Sequence, residues 1–142
     1  MMDKKEMFRI MARSHRDKII ELAGEIEKSH QVVVVKKPAK TLVMLKMLES
    51  VANSEYFLGE LLACEAMVKI GEKRGMALTA GDDFEKVLAM AVIDAAFNAR
   101  VDETHWLTDR LNEMGTLVSS QERKEFGRSL ESKVQFRVVE GQ

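Results

Sequence analysis

With 142 residues, 46% of them hydrophobic, the chain fits one domain and has enough apolar material for one continuous core. Its 22 Lys and Arg nearly cancel 23 Asp and Glu, so the basic excess of a general nucleic-acid binder is missing and no nucleic-acid partner is expected. No apolar run reaches the ~20 residues of a membrane-spanning helix, and the opening MMDKKEMFRIMARSH lacks the apolar centre of a secretory signal; no membrane association and a cytoplasmic location are expected.

Residues 3 to 13 predict a short amphipathic helix, with Asp3 and Glu6 spaced as a capping box and Met7, Ile10 and Met11 on one side. That methionine-rich face either packs on the chain's own sheet or docks on a neighbouring subunit. Ser14 is placed to cap a second helix running to about Lys28, with Ile19, Ile20, Ala23 and Ile26 as its buried stripe.

The β-branched run Val32 to Val35 predicts a first strand ending at Pro38, the chain's only proline, and Thr41 to Glu49 a second. Ser50 to Glu55 reads as a connection. A third strand is predicted over Phe57 to Ile70, with Gly59 as a bulge and Leu62, Cys64, Ala66, Val68 and Ile70 on the core face. Gly71 to Gly75 predicts a hairpin turn into a fourth strand, Met76 to Ala80.

Gly81, Asp82 and Asp83 predict a sharp helix start, with Asp82 as cap and Glu85 completing a capping box. Phe84, Val87, Leu88, Ala91, Val92 and Ala95 form one apolar face, and Met90, Ile93 and Phe97 widen it so far that the helix must be buried on more than one side. Two more helices are predicted, Asp102 to Met114 and Ser120 to Ser132, separated at Gly115. Trp106, Leu107, Leu111, Met114, Phe126 and Leu130 are expected to face inward. The alternating tail Val134, Phe136, Val138 suits an edge strand or a partner surface. The expected fold is therefore α+β in one domain over 1–142. A helical segment at 3–28 precedes a mainly antiparallel sheet of about four strands at 31–80, then a helical part at 83–133 and an extended tail at 134–142.

No local cluster forms an active site. His15, His30, His105 and Cys64 fall in separate elements without ligand spacing, so no metal site is expected. Gly71 and Gly75 flank a turn rather than a phosphate loop. Cys64, on an apolar strand face, behaves as a small hydrophobe. Asp94, between Ile93 and Ala95, must be satisfied by a backbone group or a Lys or Arg of its own chain, or else by another subunit or a ligand. Gly81, Asp82 and Asp83 suit capping better than anion binding, because two aspartates repel an anion.

Phe57, Leu58, Gly59 and Glu60, then Cys64, Glu65, Ala66 and Val68, then Gly81, Asp82 and Asp83, then Ala91, Ile93, Asp94 and Ala95 resemble, in order and spacing, the PhnG family. Leu42, Val43 and Met44, and the tail residues Val134, Phe136 and Gly141, extend the resemblance. PhnG is the G subunit of the bacterial carbon–phosphorus lyase system for phosphonate use. Many members carry Arg in the helix start and an Arg-Cys pair in the strand; Gly81-Asp82-Asp83 and Glu65-Ala66 stand there here, so no anion-binding role transfers.

The resemblance implies an accessory subunit that assembles with the H, I and J proteins and the ATPase-like L protein. That assembly exchanges the adenine of ATP for an alkylphosphonate, giving ribose 1-methylphosphonate 5-triphosphate, with the nucleosidase-like chemistry attributed to the I subunit. No catalytic residue and no cofactor are then expected on this chain, ATP and methylphosphonate being substrates of the complex. Met7, Ile10, Met11, Val134 and Phe136 are the candidate docking residues, and the isolated chain is expected to form a homodimer. The alternative is a homo-oligomeric small-ligand-binding protein with a pocket at Asp94.

Overall fold

Two amphipathic helices begin the fold, α1 (Lys4–Arg13) and α2 (Arg16–Ser29). The computed structural model describes residues 2–49, 54–129 and 138–140, with side chains for 2–44 and 59–125. Helical spacing puts Met7, Ile10 and Met11 on the buried stripe of α1, and Ile19, Leu22, Ala23 and Ile26 on that of α2. Burial decides between the two readings of α1: Met7, Ile10 and Met11 join the chain's own core, at most 2% exposed, and are no docking surface in this fold. Two caps also differ from expectation. Asp3 precedes α1 without a side-chain capping bond. Ser14 closes α1, its hydroxyl donating to the Ile10 carbonyl at 2.6 Å, while His15 Nδ1 caps α2 by accepting the Asp17 N–H at 3.2 Å. An unprotonated ring nitrogen is an acceptor, as a serine oxygen is.

The sheet contains β1 (Val32–Glu49), β2 (Ser54–Ile70), β3 (Lys73–Ala80) and β4 (Val138–Glu140), in the order β3-β2-β1-β4. All three pairings are antiparallel. Pro38 does not end a strand: β1 runs through it as one long strand, and the ladder slips between Val34 and Lys36 and again between Lys36 and Ala39. A bulge tolerates the missing N–H, which is why one strand replaces the two expected. A third slip, between Leu45 and Lys46, falls beside Gly59, whose φ of 151° suits glycine. The hairpin turn is only Gly71-Glu72, so Gly75 lies inside β3. The edge strand comes from the tail, where Val138–Glu140 pairs with Leu45–Met47. Val134, Phe136 and Leu130 lie outside the described residues, as do 50–53 of the expected connection and the side chain of Phe126.

Helix α3 (Phe84–Ala99) is the centre of the molecule, and every residue from Ala89 to Phe97 is buried. It packs on β2 and β3 with one side and on α2 with another. Phe84, placed by its spacing on the apolar face, is instead 39% exposed, because it sits in the first turn beyond the packed layer. Helix α4 (Thr104–Ser129) is a single helix. Leu107, Leu111, Met114 and Val118 hold one buried stripe straight across Gly115, where two helices were expected. That glycine admits Ile10 of α1: a Cβ there would come within 2.9 Å of Ile10 Cδ1. No helix among the described residues is long and apolar enough to cross a membrane.

Candidate functional site

Gly75 brings β3 so close to α3 that a Cβ on it would lie 2.2 Å from the Ala95 nitrogen and 2.3 Å from the Ala91 carbonyl oxygen. This approach lets side chains of α3 reach around the free edge of β3. Asp94 Oδ2 accepts the Met76 backbone N–H at 3.0 Å, and Asn98 Nδ2, one helical turn on, donates to the Arg74 carbonyl at 2.6 Å. Lys4 of α1 completes the cluster, its ammonium 2.7 Å from Asp94 Oδ1 and also bonded to Asn98 Oδ1. Asp94 itself is 5% exposed. A buried carboxylate with both oxygens engaged avoids the cost of an unpaired buried charge. Of the two expectations for Asp94, a backbone group and a lysine of its own chain are what it meets.

The second cluster surrounds the start of α3. Asp83, not Asp82, is the cap, accepting the Lys86 N–H at 3.1 Å. Arg16 Nε donates to Asp83 Oδ2 at 2.7 Å, and Arg16 Nη2 reaches Glu85 at 3.2 Å. The Arg16 hydrogen bond, helped by the Lys86 N–H and opposed by partial burial, holds the Asp83 carboxyl below the usual range. The Lys86 ammonium donates to the carbonyls of Ala12 and Ser14 at 2.8 and 2.9 Å, tying α1's end to α3; burial lowers its pKa. Gly81 takes a φ of 94° and donates to the Leu62 carbonyl at 2.9 Å. The anion at the N-terminus of α3 is thus already supplied by Asp83.

Cys64 is fully buried beneath this cap, its sulfur 3.8 Å from the Asp83 carbonyl oxygen. Burial, and then the negative charge of Asp83 and Asp82, push its thiol upward, the opposite of an activated nucleophile. His30 Nε2 lies 2.9 Å from Glu103, joining α2 to the α3–α4 turn. His105 lines an open cleft of about 520 Å³ with Arg100, Asp102 and Asp109, next to a polar wall of Thr104 and Thr108. Both threonine hydroxyls donate to backbone carbonyls of the same turn. No group of three metal-ligating side chains forms among the described residues. Neither this cleft nor a second of about 350 Å³, walled by Val32, Val34, Val68, Leu88 and Val92, is lined by Asp94.

Phe57 and Leu58 lie in β2 and have no described side chains, Gly59 marks the bulge, and Glu60 is exposed. The motif positions therefore occupy two ends of one unit: Gly59 and Glu60 on the ribbon, Gly81 to Asp83 at the start of α3, and Asp94 near its far end. Lys4, Arg16, Lys86 and Asn98 went unrecognised in the sequence. Asn98 was legible in principle, four residues after a buried Asp on the same helix face; the other three join elements far apart in the chain.

A family model described as "Phosphonate metabolism protein PhnG" matches residues 2–141. No curated protein matches the sequence.

Proposed function

Since the chain belongs to the PhnG family of phosphonate metabolism proteins, we propose that it is a non-catalytic, accessory subunit of a carbon–phosphorus lyase core complex, working in the cytoplasm. Its partners in this reading are the H, I and J subunits and the L protein, and the step it supports is transfer of an alkylphosphonate to the ribose of ATP with loss of adenine.

The observation that carries the reading, beside the family match, is the uncovered face of the sheet. Helix α3 covers the side that carries Gly75, Ala77 and Thr79, whereas Met76 and Leu78 on the other side are 53% and 49% exposed. Leu61 and Val33 share that outer side, because Leu61 follows the parity of Met67, paired with Met76, and Val33 is paired with Lys69. That side also carries Lys69, Arg74 and the Lys36–Glu65 ion pair, and exposed apolar side chains set among charges in this way suit a surface that another chain covers. The ionisable side chains engaged in structural bonds also support an accessory role. Asp94 plugs a strand edge, Asp83 caps a helix, and Lys86 ties down a helix end.

The test is co-expression of the tagged chain with the H, I and J proteins of the same source. Co-purification is expected, with loss of partners from the Met76→Lys/Leu78→Lys variant while its circular dichroism stays that of the parent. Emergence of the chain alone, with those partners soluble and abundant, overturns the reading.

A further inference from the structure

Leu42 and Leu62 face each other across the β1–β2 ladder, on the same side of the sheet as Cys64 and the helices. Both are nevertheless exposed, at 60% and 43%, as is Met44 at 47%. The helical layer stops short of them: α3 begins at Phe84, and the turn before it reaches the sheet where Gly81 donates to the Leu62 carbonyl. The β2–β3 ladder ends at Ala63 and Ala80. Past that pair β1 and β2 continue as a two-stranded ribbon, joined among the described residues by the short β4 at Leu45–Met47. Two strands with apolar residues on an open face need cover to be stable in water.

The charges around this patch select the cover. Lys40 stands two residues before Leu42 on this face, opposite Cys64; Glu60 stands two residues before Leu62, opposite Met44. Both are exposed, and among the described residues neither has an ion-pair partner. They occupy opposite strands on opposite sides of the Leu42–Leu62 pair. A two-fold axis lying in this face and passing through that pair exchanges the two positions. It lays Leu42 and Leu62 on their own copies, and it sets Lys40 of each chain beside Glu60 of the other, twice.

We infer that this ribbon face is a self-complementary interface on which a second copy of the chain packs, Leu42, Leu62 and Met44 forming its dry centre and two Lys40–Glu60 pairs its rim. Two identical patches related by a two-fold need this arrangement of unlike charges; a bracket of like charges would repel. The ribbons cross at the shallow angle, about 30°, at which aligned sheets pack. The inference stands apart from the proposed lyase complex: a chain that dimerises but captures no H, I or J protein sinks that proposal and leaves this one intact.

Sedimentation equilibrium of the full chain tests it. The parent is expected at twice its 16.1 kDa mass in the micromolar range. Lys40→Glu and Glu60→Lys should each weaken the dimer about tenfold, since each removes two attractions and creates two repulsions. The double variant should recover parental affinity, and Leu62→Gln should dissociate it. Within one chain Lys40 and Glu60 are separated by the Leu42–Leu62 pair, so recovery by the double swap reports a contact between chains. Since both charged positions are exposed, circular dichroism should be unchanged in the charge variants. A parent that stays monomeric, single variants that dimerise as tightly as the parent, or a double variant that stays weak would each overturn the inference.

Discussion

The carboxylate of Asp94 accepts the backbone N–H of Met76 at 3.0 Å, so a helix side chain occupies the place that a neighbouring strand would take at the edge of β3. Asn98 does the same for the Arg74 carbonyl. The opposite edge is guarded differently, by Pro38, by the bulges around it, by the lysines of β1 and by the short β4. The two edges of the sheet therefore have unrelated protections, and only the first depends on a single buried carboxylate.

Replacing Asp94 by Ala leaves the Met76 N–H without its acceptor and Lys4 without its counter-ion. A cost of about 2 kcal/mol is expected in urea denaturation, below the roughly 3–5 kcal/mol of a fully buried pair because Lys4 remains partly solvated. Light scattering on incubation at neutral pH should also rise faster than for a core variant of equal stability such as one at Leu111. Equal scattering would separate Asp94 from edge protection.

Three glycines offer a graded steric test. Gly24 in α2 has nothing within 4 Å of a built Cβ, so Gly24→Ala should stabilise by about 0.5–1 kcal/mol through helix propensity. Gly115→Ala meets only the flexible end of Ile10 and should be near neutral. Gly75→Ala drives a methyl group into the backbone of Ala91 and Ala95 and should cost about 3 kcal/mol or abolish folding. Thermal melts of the three variants check this order, and a mild Gly75→Ala would mean that β3 and α3 separate easily.

The pair Arg16–Asp83 should govern part of the acid response. The Asp83 carboxyl is held below its unfolded value, about 3.9, first by the Arg16 hydrogen bond. A depressed folded pKa gives stability that is complete above the unfolded value and is lost as pH falls through the folded one. Arg16→Met should therefore melt lower than the parent at pH 7, and the gap should narrow as pH falls below about 4. A gap of constant size would show that the pair contributes no pH-dependent stability.

Cys64 should resist thiol reagents in the native protein and react at the rate of global unfolding, because its sulfur is buried and burial raises its pKa. Titrating the labelling rate against urea should reproduce the unfolding curve. Fast labelling without denaturant would require local opening of β2 from the start of α3.

Patterns of local period were the legible part of this chain. The stripes of α1, α2 and α3, the glycine bulge at Gly59 and the buried parity of Cys64, Ala66, Val68 and Ile70 all follow from neighbours a few residues apart. Leu62 has the same parity yet is exposed, since parity says which face a residue takes and not how far the helix above it extends. Pro38 and Gly115 misled for a related reason. Each breaks a rule that holds in an isolated strand or helix, and each is absorbed by tertiary structure, a bulge in one case and the approach of Ile10 in the other. At the candidate site, the need of Asp94 for a partner was readable from its apolar surroundings. Lys4 as that partner was not, because the two are 90 positions apart.

The central place of α3 also sets the order in which the chain can become stable during synthesis. Helices α1 and α2 leave the ribosome first, with Met7, Ile10, Met11 and Ile26 committed to a core whose middle is translated much later. The sheet follows, then α3, and α4 with its Leu107 and Leu111 comes after that. Until α4 is made, the side of α1 that α4 covers, where Ile10 meets Gly115, stays bare. Chains from which α1, α2, the sheet and α3 have emerged while α4 has not are the ones that should engage chaperones most strongly, and slowing translation at that stage should lower the yield of folded protein.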